Sequence, residues 1–335
     1  MANIALRNPQ FKEIIITQPF GSVVCVISIN GSITPIYTLV KNIIPINQAV
    51  VFDIAELVRD YLDITYQSSY IPQTIDIESV LTPYADPNGT GQPGTAVTFN
   101  DRGFEAYGLF TEEINPVVPF NRTAPTYLIG NNNPASLLNT FTILAPNNRA
   151  GEIPNITSLN GLVATSYNGF DTSVTTVDGV VCNIKRIDCT KYGDGEKITF
   201  INKYGAQQDL WFFLKNTKNV IRTNEGYKSN TITYPITGVN YKVENAPNKV
   251  FNTQAKQTLI LNSGYYPEFA NQFFEELILS EFVWIERKKI GAKLLRKIPV
   301  KVKTSSMEFK TVLNDKLIEY TIEFEEAFDY INNIR

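Results

Sequence analysis

Apolar and polar residues alternate most cleanly near the end of the chain. Ile298, Val300 and Val302 alternate with Pro299, Lys301 and Lys303, and Ile318, Tyr320, Ile322 and Phe324 alternate with Glu319, Thr321 and Glu323. A period of two turns one side of an extended chain toward a core, so the pattern predicts two half-buried antiparallel strands joined by a long loop. The same signal predicts strands over 13–17, 23–29 and 33–44, with Asn30-Gly31 as a turn between the last two. It returns over 180–190, 197–202 and 209–215, where Tyr192-Gly193-Asp194-Gly195 turns between the first two. A helical period occurs twice. Ile54, Leu57, Val58, Tyr61 and Leu62 predict a helix capped by Asp53, with Glu56 completing a capping box. Residues 267–280 predict a short helix with Phe269, Phe273, Leu277 and Ile278 on one face, running into a strand over 282–286.

Between 66 and 155 the pattern gives way to Pro, Asn, Gly and Thr, with ten of the 18 prolines. Stretches such as 83–94 (PYADPNGTGQPG) and 130–134 (GNNNP) predict long loops with short edge strands, because proline cannot serve a central strand. Such loops are either arms that drape over a neighbouring subunit or surface insertions. A polar hinge is expected over 245–252. The chain thus divides into an N-terminal β module with a capping helix (1–65), a Pro/Asn/Gly-rich loop insertion (66–155), a β module (156–245) and a helix-plus-hairpin module (246–335). The expected fold class is mainly β with short helices (α+β), in two or three β-rich modules with long loop insertions. A length of 335 residues agrees, since one core rarely grows so large.

Composition removes most chemistry. The chain has no histidine, the commonest metal ligand, general base and triad partner, so no catalytic residue, metal or cofactor is expected. Cys182 and Cys189 on one strand would lie too far apart to bridge, and with Cys25 they are expected to be reduced structural thiols. A net charge of −3 gives no general attraction to nucleic acid or to an anionic membrane. The first residues carry no signal-peptide pattern and no stretch is long enough to span a bilayer, which predicts synthesis in a cytoplasm. The pairs Glu275/Glu276 and Glu325/Glu326 are expected on solvated faces. Asp86-Pro87-Asn88-Gly89-Thr90-Gly91 lacks the spacing of a calcium loop and predicts a turn. Gly89 to Gly94 matches GxGxxG without a strand leading in, and so predicts no dinucleotide site. Trp211-Phe212-Phe213 and Tyr265-Tyr266 are expected in a core, with a sugar platform as the sharper alternative.

Charge is segregated in the last module. Residues 284–303 hold eight Lys or Arg against one acid, and 308–329 hold seven acids against two lysines. Cross-strand pairing of Lys301 and Lys303 with Glu319 and Glu323 would account for this. Alternatively, a basic edge on one copy meets an acidic edge on the next and steers head-to-tail assembly. The candidate interface residues are Arg287, Lys288, Lys289, Lys297, Lys301, Lys303, Glu319, Glu323, Glu325 and Glu326. No aromatic residue lies between Arg287 and Lys303 to stack on bases, so specific nucleic-acid binding is not expected.

Three segments carry a resemblance: 191–214 (KYGDGEKITFINKYGAQQDLWFFL), 52–62 (FDIAELVRDYL) and 316–335 (KLIEYTIEFEEAFDYINNIR). They resemble virion proteins of tailed phages infecting Bacteroides, including the crAss-like phages. The resemblance implies a virion structural protein made in the bacterial host cytoplasm, a tail ring, adaptor or baseplate subunit below the portal. Its partners would be further copies of itself in a ring and other tail or portal proteins, with DNA only passing through the assembled lumen. The rival readings are a capsid decoration or head-fibre-base protein, and a glycan-binding adhesive domain acting through Trp211 or Tyr266.

Overall fold

Eight elements come first in the computed structural model: β1 (Ala2–Ala5), β2 (Phe11–Ile15), β3 (Ser22–Ile29), β4 (Tyr37–Asn42), β5 (Ala49–Asp53), α1 (Ala55–Arg59), β6 (Thr74–Tyr84) and β7 (Val97–Phe104). The structure describes residues 2–16, 21–42, 49–66, 73–107, 117–118, 140–146, 173–177, 180–187, 196–203, 205, 207–233, 236–241, 244–288, 295–309 and 317–328. Strands dominate and the helices are short, in agreement with the expected class.

Five strands form a sheet in the order β1-β7-β6-β3-β4, parallel between β1 and β7 and antiparallel elsewhere. The Asn30-Gly31 turn is present, with both residues at positive φ (49° and 71°), the conformation that this dipeptide tolerates best. Strands β2 and β5 form a separate antiparallel pair. Its inner face, including Ile14, Val50 and Phe52, joins Val23, Cys25, Ile27, Ile75, Ile77 and Leu81 in one core cluster. Its outer face presents Phe11, Glu13 and Ile15 in register with Asp53, Val51 and Ala49.

The loop insertion expected from residue 66 onward begins instead with two long strands. β6 is central, and Ile75, Ile77, Ser79, Leu81 and Pro83 are buried at alternate positions. Pro83 is tolerated because it lies one residue before the strand ends, where its carbonyl accepts from the Gly94 N–H at 2.7 Å. The helix is also shorter than its stripe predicted. α1 spans five residues with Ile54 at the N-cap position, and the Asp53 carboxylate accepts from the Ala55 and Gln10 N–H groups. Next come β8 (Val117–Val118), β9 (Thr140–Pro146), β10 (Ser173–Val177) and β11 (Val180–Ile187), in a sheet ordered β10-β11-β9-β8. The sequences 130–134 and 192–195, and Cys189, lie outside the described residues.

The remaining strands are β12 (Glu196–Ile201), β13 (Gln207–Phe212), β14 (Thr217–Lys228), β15 (Ile232–Thr233), β16 (Asn240–Tyr241), β17 (Asn248–Asn262), β18 (Tyr266–Pro267), β19 (Val283–Lys288), β20 (Leu295–Val302), β21 (Leu317–Ile318) and β22 (Thr321–Glu326). Helix α2 (Asn271–Leu279) lies between β18 and β19. Seven strands form a sheet in the order β13-β12-β19-β20-β22-β17-β14. Ile318, Tyr320, Ile322 and Phe324 are all buried, as their alternation predicted. Of the polar hinge expected over 245–252, residues 245–247 lie outside any strand and 248–252 begin β17, a single strand of 15 residues.

The chain forms two compact units. The first comprises residues 1–194, 199–210 and 272–280, and the second 195–198, 211–271 and 281–335, so the boundary falls inside β12 and β13. These divisions differ from the four consecutive segments read from composition, because two short stretches return to the first unit from far along the chain.

Candidate interaction surfaces

Buried charges are the first place to look for chemistry, and in the first unit they are compensated. Arg59 donates through Nε and Nη2 to both oxygens of Glu105 at 2.6–3.1 Å, and Arg7 Nε lies 3.6 Å from the same carboxylate, whose side chain is 3% exposed. Two guanidiniums on one carboxylate make a structural clamp. Lys12 sits 2.5 Å from Asp101 and over the Phe99 ring, a second paired charge.

Glu276 differs. Expected on a solvated face beside Glu275, it is buried, because α2 carries it three residues after Phe273 on the side facing the core. It accepts from the Lys203 backbone N–H at 3.3 Å and from the Gln272 amide at 3.1 Å. Burial pushes its pKa up to about 7, opposed by the Lys203 charge and these two donors. The spacing from Phe273 was the available signal. Cys25 is buried, and burial pushes its thiol up to about 11, which leaves it protonated and inert. Among the described residues no three His, Cys, Asp or Glu side chains converge as metal ligands. Asp86 spends its carboxylate on its own loop, accepting from the N–H groups of Asn88, Thr90 and Gly91 and from the Thr90 hydroxyl.

The aromatic platform is also accounted for. Trp211 and Tyr266 are buried, and the Tyr266 hydroxyl donates to the Trp211 carbonyl at 2.7 Å while accepting from its N–H at 3.2 Å. Phe212 packs edge-on against Phe324 and Phe213 stacks on Tyr266. These rings form core, and the glycan reading loses the two residues it named.

The charge-split hairpin exists, and its charges are largely met inside its own sheet. Lys303 reaches Glu323 at 2.7 Å. Lys301 is exposed in register with Glu325, which pairs instead with Lys256 at 3.0 Å. Glu326, buried, accepts from Gln257 at 2.7 Å, and Glu319 accepts from Asn262 at 2.8 Å. Lys297 and Lys197 both pair with Glu286. Arg287 and Lys288 close β19 in register with Arg296 and Leu295, whereas Lys289 lies outside the described residues. The acidic strand β22 is hydrogen-bonded on both sides, to β20 and β17, so it offers no free edge to a second copy.

One edge strand of this sheet is β14, all twelve residues of which are exposed. It pairs with β17 from Thr217/Ile260 to Lys228/Asn248, but β22 backs β17 only over Thr258–Asn262. Outward from Val220 the pair is therefore a two-stranded arm, roughly 30 Å long at about 3.3 Å per residue. Halfway along, Glu225 pairs with Asn252 and Gly226 with Val250, which leaves Phe251 as the extra residue of a bulge. Glycine suits this position, since a Cβ at Gly226 would stand a tight 3.0 Å from the Lys249 carbonyl oxygen. Tyr227 and Phe251 lie with ring centres 6.2 Å apart, both more than half exposed. At the tip, β15 and β16 pair around Ile236, which is fully exposed, and Lys228, Asn230, Ile232, Val239 and Pro247 line a hollow of about 450 Å³.

Charge distinguishes the arm as well. Residues 220–257 carry five Lys or Arg against Glu225 and Glu244, a net +3, so the rest of the chain, from a total of −3, carries −6. Sequence reading missed this surface because TKNVIRTNEGYK shows no two-residue contrast between faces. Its one signal was a set of apolar and aromatic residues among polar ones. No helix among the described residues is long and apolar enough to cross a membrane. No protein-family model, curated protein or solved structure matches the chain.

Proposed function

We propose that this chain is a structural subunit of a tailed-phage virion, a tail ring or adaptor component that assembles head-to-tail with copies of itself and contacts neighbouring tail or portal proteins. The observation that carries the reading is the β14–β17 arm, a basic ribbon that leaves Val220, Ile221, Tyr227, Val250 and Phe251 exposed. An isolated two-stranded ribbon is marginal in water, and exposed apolar side chains grouped on one projecting element mark a surface that assembly covers. The paired charges and protonated thiol described above fit a part that holds shape rather than one that turns over a substrate.

Mass photometry and negative-stain imaging at low and high salt test this reading. A closed annulus of identical copies that loosens with salt is expected. Particles that remain single under all conditions, and that bind host polysaccharide through Tyr227 and Phe251, would favour an adhesive domain instead. Recovery of the chain with capsids rather than tails would place it as a decoration or fibre-base protein.

A further inference from the structure

We infer that the β14–β17 arm of one copy docks on the outer face of the β2–β5 pair of a second copy. The inference rests on the assembly reading above and names the two surfaces that reading leaves open. Phe11 and Ile15 are each 66% exposed on β2, with Glu13 between them and Asp53 directly across from Phe11. Beneath them, Ile14, Val50 and Phe52 are buried, so the backbone is anchored and the outer side chains are held in place.

The two surfaces are opposite in sign and alike in apolar character. One face of the arm offers Arg222 and Lys228 beside Val220 and Val250, which the register places on the same side of the ribbon. The β2–β5 face offers Glu13 and Asp53 beside Phe11, Ile15 and Val51. The hollow at the tip, apolar at Ile232, Val239 and Pro247 with Lys228 on its rim, suits one projecting apolar side chain next to a carboxylate. Docking arm on arm would bring +3 against +3, and docking face on face would bring acid against acid. Charge therefore selects arm on face, a heterologous contact that repeats from copy to copy and closes when the rotation allows. Each contact is narrow, because the β2–β5 face turns only six side chains outward, against roughly 20–30 residues a side in a stable pair. Weak pairwise association that becomes firm only on closure follows, because each closed copy is held twice.

Sedimentation velocity over a wide range of protein concentration tests this with three full-length variants, each first checked for native circular dichroism. Arg222→Glu with Lys228→Glu should weaken association at least tenfold, and Glu13→Lys alone should do the same. Combining all three should restore most of it. Assembly that is unchanged in the arm variant and in Glu13→Lys overturns the docking and leaves the ring reading standing. Arm-dependent open chains that never close would uphold the docking and sink the ring. A wild-type chain that stays monomeric at every concentration and salt overturns the docking, and leaves the ring reading only if other virion proteins assemble it. Loss of assembly in Glu13→Lys without recovery in the combined variant also overturns it.

Discussion

Strands β3 and β14 have the same backbone conformation and opposite surroundings. β3 lies between β6 and β4, and Val23, Cys25 and Ile27 are completely buried. β14 is longer, pairs on one side only and buries none of its side chains. Hydrogen-bond pairing alone suffices to make a strand, whereas stability requires burial. A chain that spends twelve residues on the second kind of strand gains little folding energy from them. Their apolar side chains remain available for another surface.

Truncation separates the two strands most sharply. Ile27→Ala, in the closed core, should cost about 4 kcal/mol, while Ile221→Ala should change stability by less than about 0.5 kcal/mol; urea denaturation of each variant measures both. A cost at Ile221 approaching that at Ile27 would mean the arm is folded into the body's cooperative unit. The next largest effect belongs to Glu105→Ala, which leaves Arg59 and Arg7 facing a neutral cavity. It should lose about 3 kcal/mol by the same assay, the low end for a broken buried pair because both guanidiniums keep some contact with solvent.

Glu276 gives the third effect, and its direction follows from linkage. Its pKa when folded, about 7, exceeds the ordinary 4.5, so the folded chain holds an extra proton between those pH values. Stability therefore falls as pH rises from 4.5 to 7 and is level above, by roughly 3 kcal/mol in all. Glu276→Gln should remove that slope in melts taken across the window; a slope that survives assigns it to another group. Smallest is the change from replacing Ile236 and Val239 at the tip by Ser, expected within about 0.5 kcal/mol for folding. A loss of assembly in that variant would confirm that the tip acts between copies, and a loss of folding would deny it.

Legibility in the sequence followed burial. β20, β21 and β22 were readable because one side of each faces the core and the other does not, which produces the period of two. The Asn30-Gly31 turn was readable because its conformation selects its residues. β6 was hidden by its company: Ile75, Ile77 and Leu81 alternate, but the surrounding prolines and glycines dominate any average over the segment. Glu276 was hidden by its neighbour Glu275, since adjacent positions on a helix face different ways. The arm was hidden for a deeper reason. Where nothing is buried within the chain, no face is marked in its composition, and only the apolar and aromatic residues set among polar ones remained as a clue.

β17 has a mechanical consequence. Its first residues lie in the exposed arm and its last five are bonded to β22 inside the sheet, without a break between them. A pull on the arm along its length therefore loads the β17–β22 ladder in shear, with its hydrogen bonds resisting together, whereas a hinged arm would peel them away one at a time. A tether rooted in this way yields at high force and gives little warning of failure.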